Sequence, residues 1–356
     1  MKKGKKKISR RQFLKKSSIG LATVSTLPII SSFATPAENN KVGPVHNNKI
    51  GKSGSANSGE SRFQKKQNPK EKLLGCRKLG RTAMNVSLLA FGGGTQFMNN
   101  ADGKWEPMLE RAVEVGVNYF DTSWDYGEGE SEVRFGKILN KYRQNVYIAT
   151  KLDARKSDES KQQFEGCLHR LKMDYVDVLM MHAISEKDEL STIEKGVWKE
   201  MVKFKDEGMT KFIGLSVMLE KDLPVARSII ENFDVDVVLG IINPVGRFGN
   251  CATLLPIIRE KNIGFMSMKV LRNLVSEQVS AKDLITYALD KEGVAGTVIG
   301  HHGSKNLDEN IKIVAEYSKS SGSRKDWGLL EKHLEKYTRN HPPVWTLPGY
   351  QDGKIC

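Results

Sequence analysis

From residue 76 onward, short apolar runs alternate with amphipathic stretches, and the alternation repeats eight times. The apolar runs predict strands over 88–93, 119–122, 146–151, 176–182, 212–217, 237–243, 264–270 and 296–300. The stretches between and after them carry apolar residues at helical spacing and predict helices over 105–115, 131–142, 157–171, 192–207, 221–232, 252–261, 281–291 and 307–318. Continuous rather than alternating apolar strands belong to a parallel sheet covered on both faces. Eight strand–helix units predict an α/β fold, a (β/α)8 TIM barrel. The competing fold, an open doubly wound sheet, wants a glycine-rich turn that opens a helix directly after the first strand. The run Gly92-Gly93-Gly94 is not followed by a helix at that offset, which favours the barrel.

Two additions flank the repeat. Residues 77–87 read as an N-terminal β-hairpin with its turn near Gly80-Arg81, placed to plug the bottom of the barrel. Residues 327–339 read as an extra C-terminal helix, and 341–356 as an irregular tail with three prolines and the aromatics Trp345 and Tyr350. The barrel domain is thus expected over 74–340.

Charge separates the remainder. Of 56 Lys/Arg and 42 Asp/Glu, residues 1–74 hold 17 and 3, leaving 39 of each for the rest. The net charge of +14 therefore belongs to the N-terminal segment, and the barrel is neutral. With no basic stripe bearing interleaved aromatics, no nucleic-acid partner is expected. Residues 38–73 are rich in Asn, Ser, Gly and Lys with few apolar positions, and read as a flexible linker. Cys76, Cys167, Cys251 and Cys356 form no CxxC pair, so no zinc or iron–sulfur site is expected. Cys167 and Cys251 fall in helical segments. A Cys76–Cys356 disulfide is open only in an oxidising compartment.

Four residues of different chemistry fall at the ends of successive strands or just after: Asp121, Tyr126, Lys151 and His182. In a parallel barrel these ends converge on one mouth. A carbonyl accepts hydride more readily when its oxygen is protonated. A phenol supplies that proton, and a neighbouring ammonium favours the phenolate left behind. Asp121 would hold Lys151 charged and in place, and His182 would orient the carbonyl oxygen or relay a proton. Trp124, two residues before Tyr126, is the leading wall of an apolar substrate pocket, with Phe97, Phe248, Trp345 and Tyr350 as further candidates.

These residues sit in Gly116-Val117-Asn118-Tyr119-Phe120-Asp121-Thr122-Ser123 with Tyr126-Gly127, in Ala149-Thr150-Lys151 and in Met180-Met181-His182. The three segments resemble the signature of the aldo-keto reductases, over about residues 76–320. The resemblance implies a nicotinamide-dependent reductase of aldehydes, ketones or sugar-type carbonyls. It also implies cofactor contacts at Ser216 and Asn243 for the nicotinamide amide and at Lys269 for the pyrophosphate. Gly300, Leu307, Glu309 and Asn310 match the phosphate-and-adenine segment, with Ser304 and Lys305 or Asn306 near the phosphate. His301, His302 and Gly303 depart from the small hydroxyl residues usual there. NADP is favoured, with NAD possible. No metal site is expected, because adjacent histidines on a loop point apart.

The leader resembles a twin-arginine translocation signal: Ser9-Arg10-Arg11-Gln12-Phe13-Leu14-Lys15, then an apolar stretch from 19 to 34. That resemblance implies residues 1–37 as a signal segment, the twin-arginine translocation machinery as partner, and a periplasmic or cell-envelope location. The leader is cleaved after Ala34 or Ala37, or remains as the sole membrane contact. Two other function classes compete. A non-catalytic nucleotide-binding module would not need all four residues. A sugar hydrolase or isomerase would need paired carboxylates or a metal at the mouth, where only Asp121 and Asp153 are placed.

Overall fold

The computed structural model describes residues 73–246, 250–320, 326–350 and Gly353. The leader, all of the linker but Leu73, Phe248 and Cys356 lie outside the described residues. An antiparallel pair, β1 (Cys76–Lys78) and β2 (Asn85–Ser87), precedes eight parallel strands. These are β3 (Leu89–Gly92), β4 (Tyr119–Asp121), β5 (Tyr147–Leu152), β6 (Val176–Ile184), β7 (Thr210–Val217), β8 (Val237–Ile241), β9 (Gly264–Met268) and β10 (Val294–Ile299). They pair in chain order, and β10 pairs with β3, so the sheet closes into a barrel. Closure leaves no strand edge, and strands covered on both sides need the unbroken apolar runs read from the sequence. Strands β3, β4, β8, β9 and β10 are buried at every position.

The helices follow the expected positions: α1 (Thr95–Met98), α2 (Trp105–Glu114), α3 (Glu130–Leu139), α4 (Ser157–Leu171), α5 (Leu190–Ile193), α6 (Lys199–Asp206), α7 (Leu223–Asn232), α8 (Leu255–Glu260), α9 (Ala281–Asp290), α10 (Ser304–Lys319) and α11 (Gly328–Asn340). Three departures matter. A one-turn helix, α1, does follow the glycine run, where the sequence reading placed none; Phe97, expected in the pocket, is fully buried there. Its ring packs edge-on against Phe91 and beside Phe135, within an aromatic cluster that includes Phe120. The single helix expected over 192–207 is broken by a kink at Gly196, whose φ of −102° and ψ of −111° are not helical. Gly196 permits it: a Cβ there would lie 2.0 Å from the carbonyl oxygen of Arg155, so the chain passes too close for any side chain. Third, β6 runs past His182 to Ile184, with a register shift after Met181.

The β1–β2 hairpin seals one barrel end, as expected. Gly80 adopts a left-handed φ of +51°, and a Cβ on it would collide with the nitrogen of Gly264, the first residue of β9. Leu79 is fully buried, and the amide of Arg81 donates to the carbonyl of Asn262 at 2.6 Å. The opposite end, where β4, β5 and β6 finish, is left for chemistry. Cys167 and Cys251 are buried. Among the described residues no helix is long and apolar enough to cross a membrane.

Candidate active site

Asp121 is the last residue of β4, and Lys151 the penultimate residue of β5. Parallel pairing sets Asp121 beside Ala149, so Lys151, two residues on, shares its side of the sheet. The Lys151 ammonium donates to Asp121 Oδ2 and to the carbonyl of Thr122, each at 2.7 Å. Both side chains are nearly fully buried, at 1% and 4% exposure. A buried ammonium and carboxylate persist only as a closely hydrogen-bonded pair. The same ammonium lies 3.5 Å from the hydroxyl of Tyr126 and 4.8 Å from its ring centre. Tyr126 is 4% exposed and meets the His182 ring edge-on at 5.7 Å between centroids. All four residues expected to act together are therefore linked by a chain of contacts at one mouth, Asp121 to Lys151 to Tyr126 to His182.

A bulge aims His182. The register of β6 slips at this point, and Ala183 takes a left-handed φ of +46°. Such a bulge re-aims the side chain beside it. The Ala183 amide donates to the hydroxyl of Ser216 at 2.8 Å. Ser216 thus fixes the bulge that carries His182. On the other side, His182 Nδ1 lies 2.8 Å from Asp153 Oδ1, 3.3 Å from the Ser123 hydroxyl and 3.6 Å from Asp125 Oδ1. Burial pushes Asp153 upward. Hydrogen bonding and charge from His182, then the Trp124 indole and the Arg155 charge, outweigh this and hold the carboxyl below its usual value. Burial likewise raises Asp125; the charge of His182 opposes this and that of Asp153 reinforces it, leaving the carboxyl above its usual value. Trp124 is half-buried, and its indole donates to Asp153 Oδ2 at 2.7 Å.

A groove of about 430 Å³ runs from Asp121 and Tyr126 toward β9 and β10. Gly92, Gln96, Lys269, Arg272, Gly300, Asn306, Glu309 and Asn310 are among its lining residues. Ser304 and Lys305 stand in the first turn of α10 with exposed side chains and are not among those lining residues. Asn243 is buried, but its carboxamide caps its own loop, accepting from the amide of Val245 at 3.0 Å. Gln96 and Arg272 were missed by the sequence reading. They are joined at 3.2 Å across the groove, and no motif flags either. His301 is fully buried and His302 exposed, so the pair does point apart. Asn310 bonds His301 Nδ1 at 3.3 Å, and burial, with the charge of His302, drops the His301 pKa to about 3, leaving a neutral ring.

The tail reaches this mouth. The amide of Gly127 donates to the carbonyl of Gly353 at 3.0 Å, and a Cβ on Gly353 would lie 2.0 Å from the Tyr126 ring. Lys269 donates to the Tyr350 hydroxyl at 3.0 Å, whereas Trp345 is buried with the core.

The sequence matches the family model described as "Aldo/keto reductase family" over residues 88–278. The chain belongs to the aldo/keto reductase family. This aldo/keto reductase is 25% identical over 300 residues to L-galactose dehydrogenase of Arabidopsis thaliana, covering 73% of this chain and 94% of that protein. It is 30% identical over 153 residues to the uncharacterized oxidoreductase YqkF of Bacillus subtilis (strain 168), covering 39% and 48%. Its fold is similar to aldo-keto reductase AKR11C1 from Bacillus halodurans in the holo form, with a TM-score of 0.61, 19% identity, and coverage of 74% of this chain and 96% of that one. Family membership makes it an NAD(P)-dependent carbonyl oxidoreductase. The residues present fit a nicotinamide dinucleotide. Glycines at the ends of two barrel strands keep one groove wall low, and Lys269 and Arg272 supply positive charge. The first turn of a sixteen-residue helix offers unpaired amides suited to a phosphate.

Proposed function

We propose that this aldo/keto reductase interconverts an aldehyde, ketone or sugar-type carbonyl and its alcohol, with NADPH favoured over NADH and Tyr126 as the general acid. The observation that carries the reading is the chain of contacts Asp121–Lys151–Tyr126 within 3.5 Å, beside His182. The bound cofactor supplies or accepts the hydride. The protein's own groups handle the proton and the orientation. As the carbonyl carbon takes the hydride, charge grows on its oxygen, and the Tyr126 hydroxyl gives that oxygen its proton. The Lys151 ammonium stabilises the phenolate that remains, and Asp121 keeps the ammonium in place. His182 fixes the oxygen's position. Gly353 and Trp124 crowd the same mouth.

Lys269, Arg272, Gly300, Asn306, Glu309 and Asn310 would hold the dinucleotide, and the family resemblance assigns Ser216 and Asn243 to its nicotinamide end. The preference for NADPH rests on Arg272 and Asn306 in the groove, a cation and an amide suited to a 2′-phosphate. The sugar-type substrate is supported by the likeness to L-galactose dehydrogenase. Nicotinamide absorbance followed with a panel of sugars, aldehydes and ketones tests the activity. For the cofactor, Arg272→Ala should weaken NADPH about tenfold, one charge-assisted contact, while NADH changes little. Equal losses would remove Arg272 from the 2′-phosphate site.

We also propose export by the twin-arginine route, supported by residues 9–15. In cell fractionation, replacing Arg10 and Arg11 together by Lys should retain the protein in the cytoplasm; unchanged export would count against the signal.

A further inference from the structure

We propose that Asp153 is a positioning residue for His182: it fixes a proton on Nδ1, leaves Nε2 to the carbonyl oxygen, and with Asp125 supplies the counter-charge for an imidazolium. The inference rests on the proposed carbonyl chemistry of this mouth.

An ionised carboxylate only accepts hydrogen bonds. Asp153 stands 2.8 Å from His182 Nδ1, so that nitrogen carries a hydrogen. With one proton on Nδ1, a neutral imidazole has a bare lone pair at Nε2. It can then accept from an alcohol but cannot donate to a carbonyl oxygen. Donation from Nε2 requires a second proton and therefore a positive charge. That charge would be set near the ammonium of Lys151, already matched by Asp121. It needs its own anions, and two face it. The ligand-bearing atoms of Asp125, Asp153 and His182 all lie within 4.8 Å of one another. Arg155 also borders His182, donating to its backbone carbonyl at 2.7 Å, but its guanidinium is paired with Asp188 at 2.8 Å. Tyr126 and the Ser123 hydroxyl complete the surroundings.

Asp153 is built in rather than loosely near. Its Oδ2 accepts from the Trp124 indole. Arg155 bonds its backbone carbonyl at 3.0 Å. The Arg155 carbonyl accepts from the amide of Val197 at 2.8 Å, at the helix kink where Gly196 leaves no room for a side chain. The irregular helix thus clamps the loop that carries Asp153. Trp124, expected as a substrate wall, acquires a second task as anchor of this carboxylate.

The test uses the full chain with its nicotinamide cofactor and an accepted carbonyl substrate, at several pH values. Asp153→Asn keeps an acceptor for the Nδ1 hydrogen and removes the charge. Its kcat should fall about tenfold below wild type at pH 8 and about twofold at pH 6, the scale of one partly exposed charge pair. KM should move less than kcat. Asp153→Ala should lose about 100-fold at both pH values, since orientation is lost as well. A readout independent of turnover is the ¹⁵N spectrum of His182, assigned by comparison with His182→Gln. The wild type should carry a proton on Nδ1, and Asp153→Ala should lose that preference. A pH-independent loss in Asp153→Asn, or a wild-type ring protonated only at Nε2, would overturn the proposal. A wild type inert toward every carbonyl would instead defeat the reductase reading, and the spectrum would still decide the role of Asp153.

Discussion

Tyr126→Phe is expected to lower kcat by about 10²–10⁴-fold while dinucleotide binding stays within about twofold of wild type. The substitution removes one oxygen and no ring. Tyr126 packs through its ring against His182, and a backbone held from Gly127 to Gly353 surrounds it, so the phenyl group stays seated. The lost atom is the one 3.5 Å from the Lys151 ammonium. If it delivers the proton, the barrier rises in the chemical step alone. Steady-state kinetics with fluorescence titration of the nucleotide separates the two quantities. A variant that keeps most of its turnover would mean that another group is the acid.

Lys151→Met should do more. It removes the cation beside the phenol, so kcat should fall by at least about 100-fold. It also leaves the buried carboxylate of Asp121 without its ammonium, a loss of about 3–5 kcal/mol of folding stability. The double variant Lys151→Met, Asp121→Leu replaces the pair by apolar groups of similar volume. Such replacements are often neutral, so most of the stability should return and none of the activity. Urea unfolding midpoints measured beside kcat distinguish these effects. Activity restored with stability would reduce the ion pair to a structural role.

The barrel was legible because its strands are buried on both sides and so read as unbroken apolar runs. Strand limits shifted by at most two residues, since a run of apolar residues continues into loops that are equally buried. Ser157–Leu171 appears as expected. Asp121, Lys151 and His182 could be found because parallel strands deliver their C-terminal ends to one place, and Tyr126 because its loop starts there. What linear reading could not supply was proximity set by loops. The clamp of Asp153 depends on a backbone contact between Arg155 and Val197, forty-odd residues apart, and the aim of His182 on the left-handed turn at Ala183. Neither has a sequence motif. Along α10 the groove is lined by residues 306, 309 and 310, and a step of one residue on a helix turns a side chain by about 100°, which a motif match does not show. Gln96 lay in a helix too short to announce itself by periodicity.

The central claim is that a hydride from nicotinamide and a proton from Tyr126 meet one carbonyl at this mouth. The most direct measurement is mass spectrometry of the alcohol formed from a carbonyl substrate with cofactor deuterated at the transferred position, for wild type and Tyr126→Phe side by side. The account predicts one deuterium on the carbinol carbon, formed rapidly by the wild type and barely by the variant. An unlabelled alcohol, or label delivered equally well by both proteins, would contradict it.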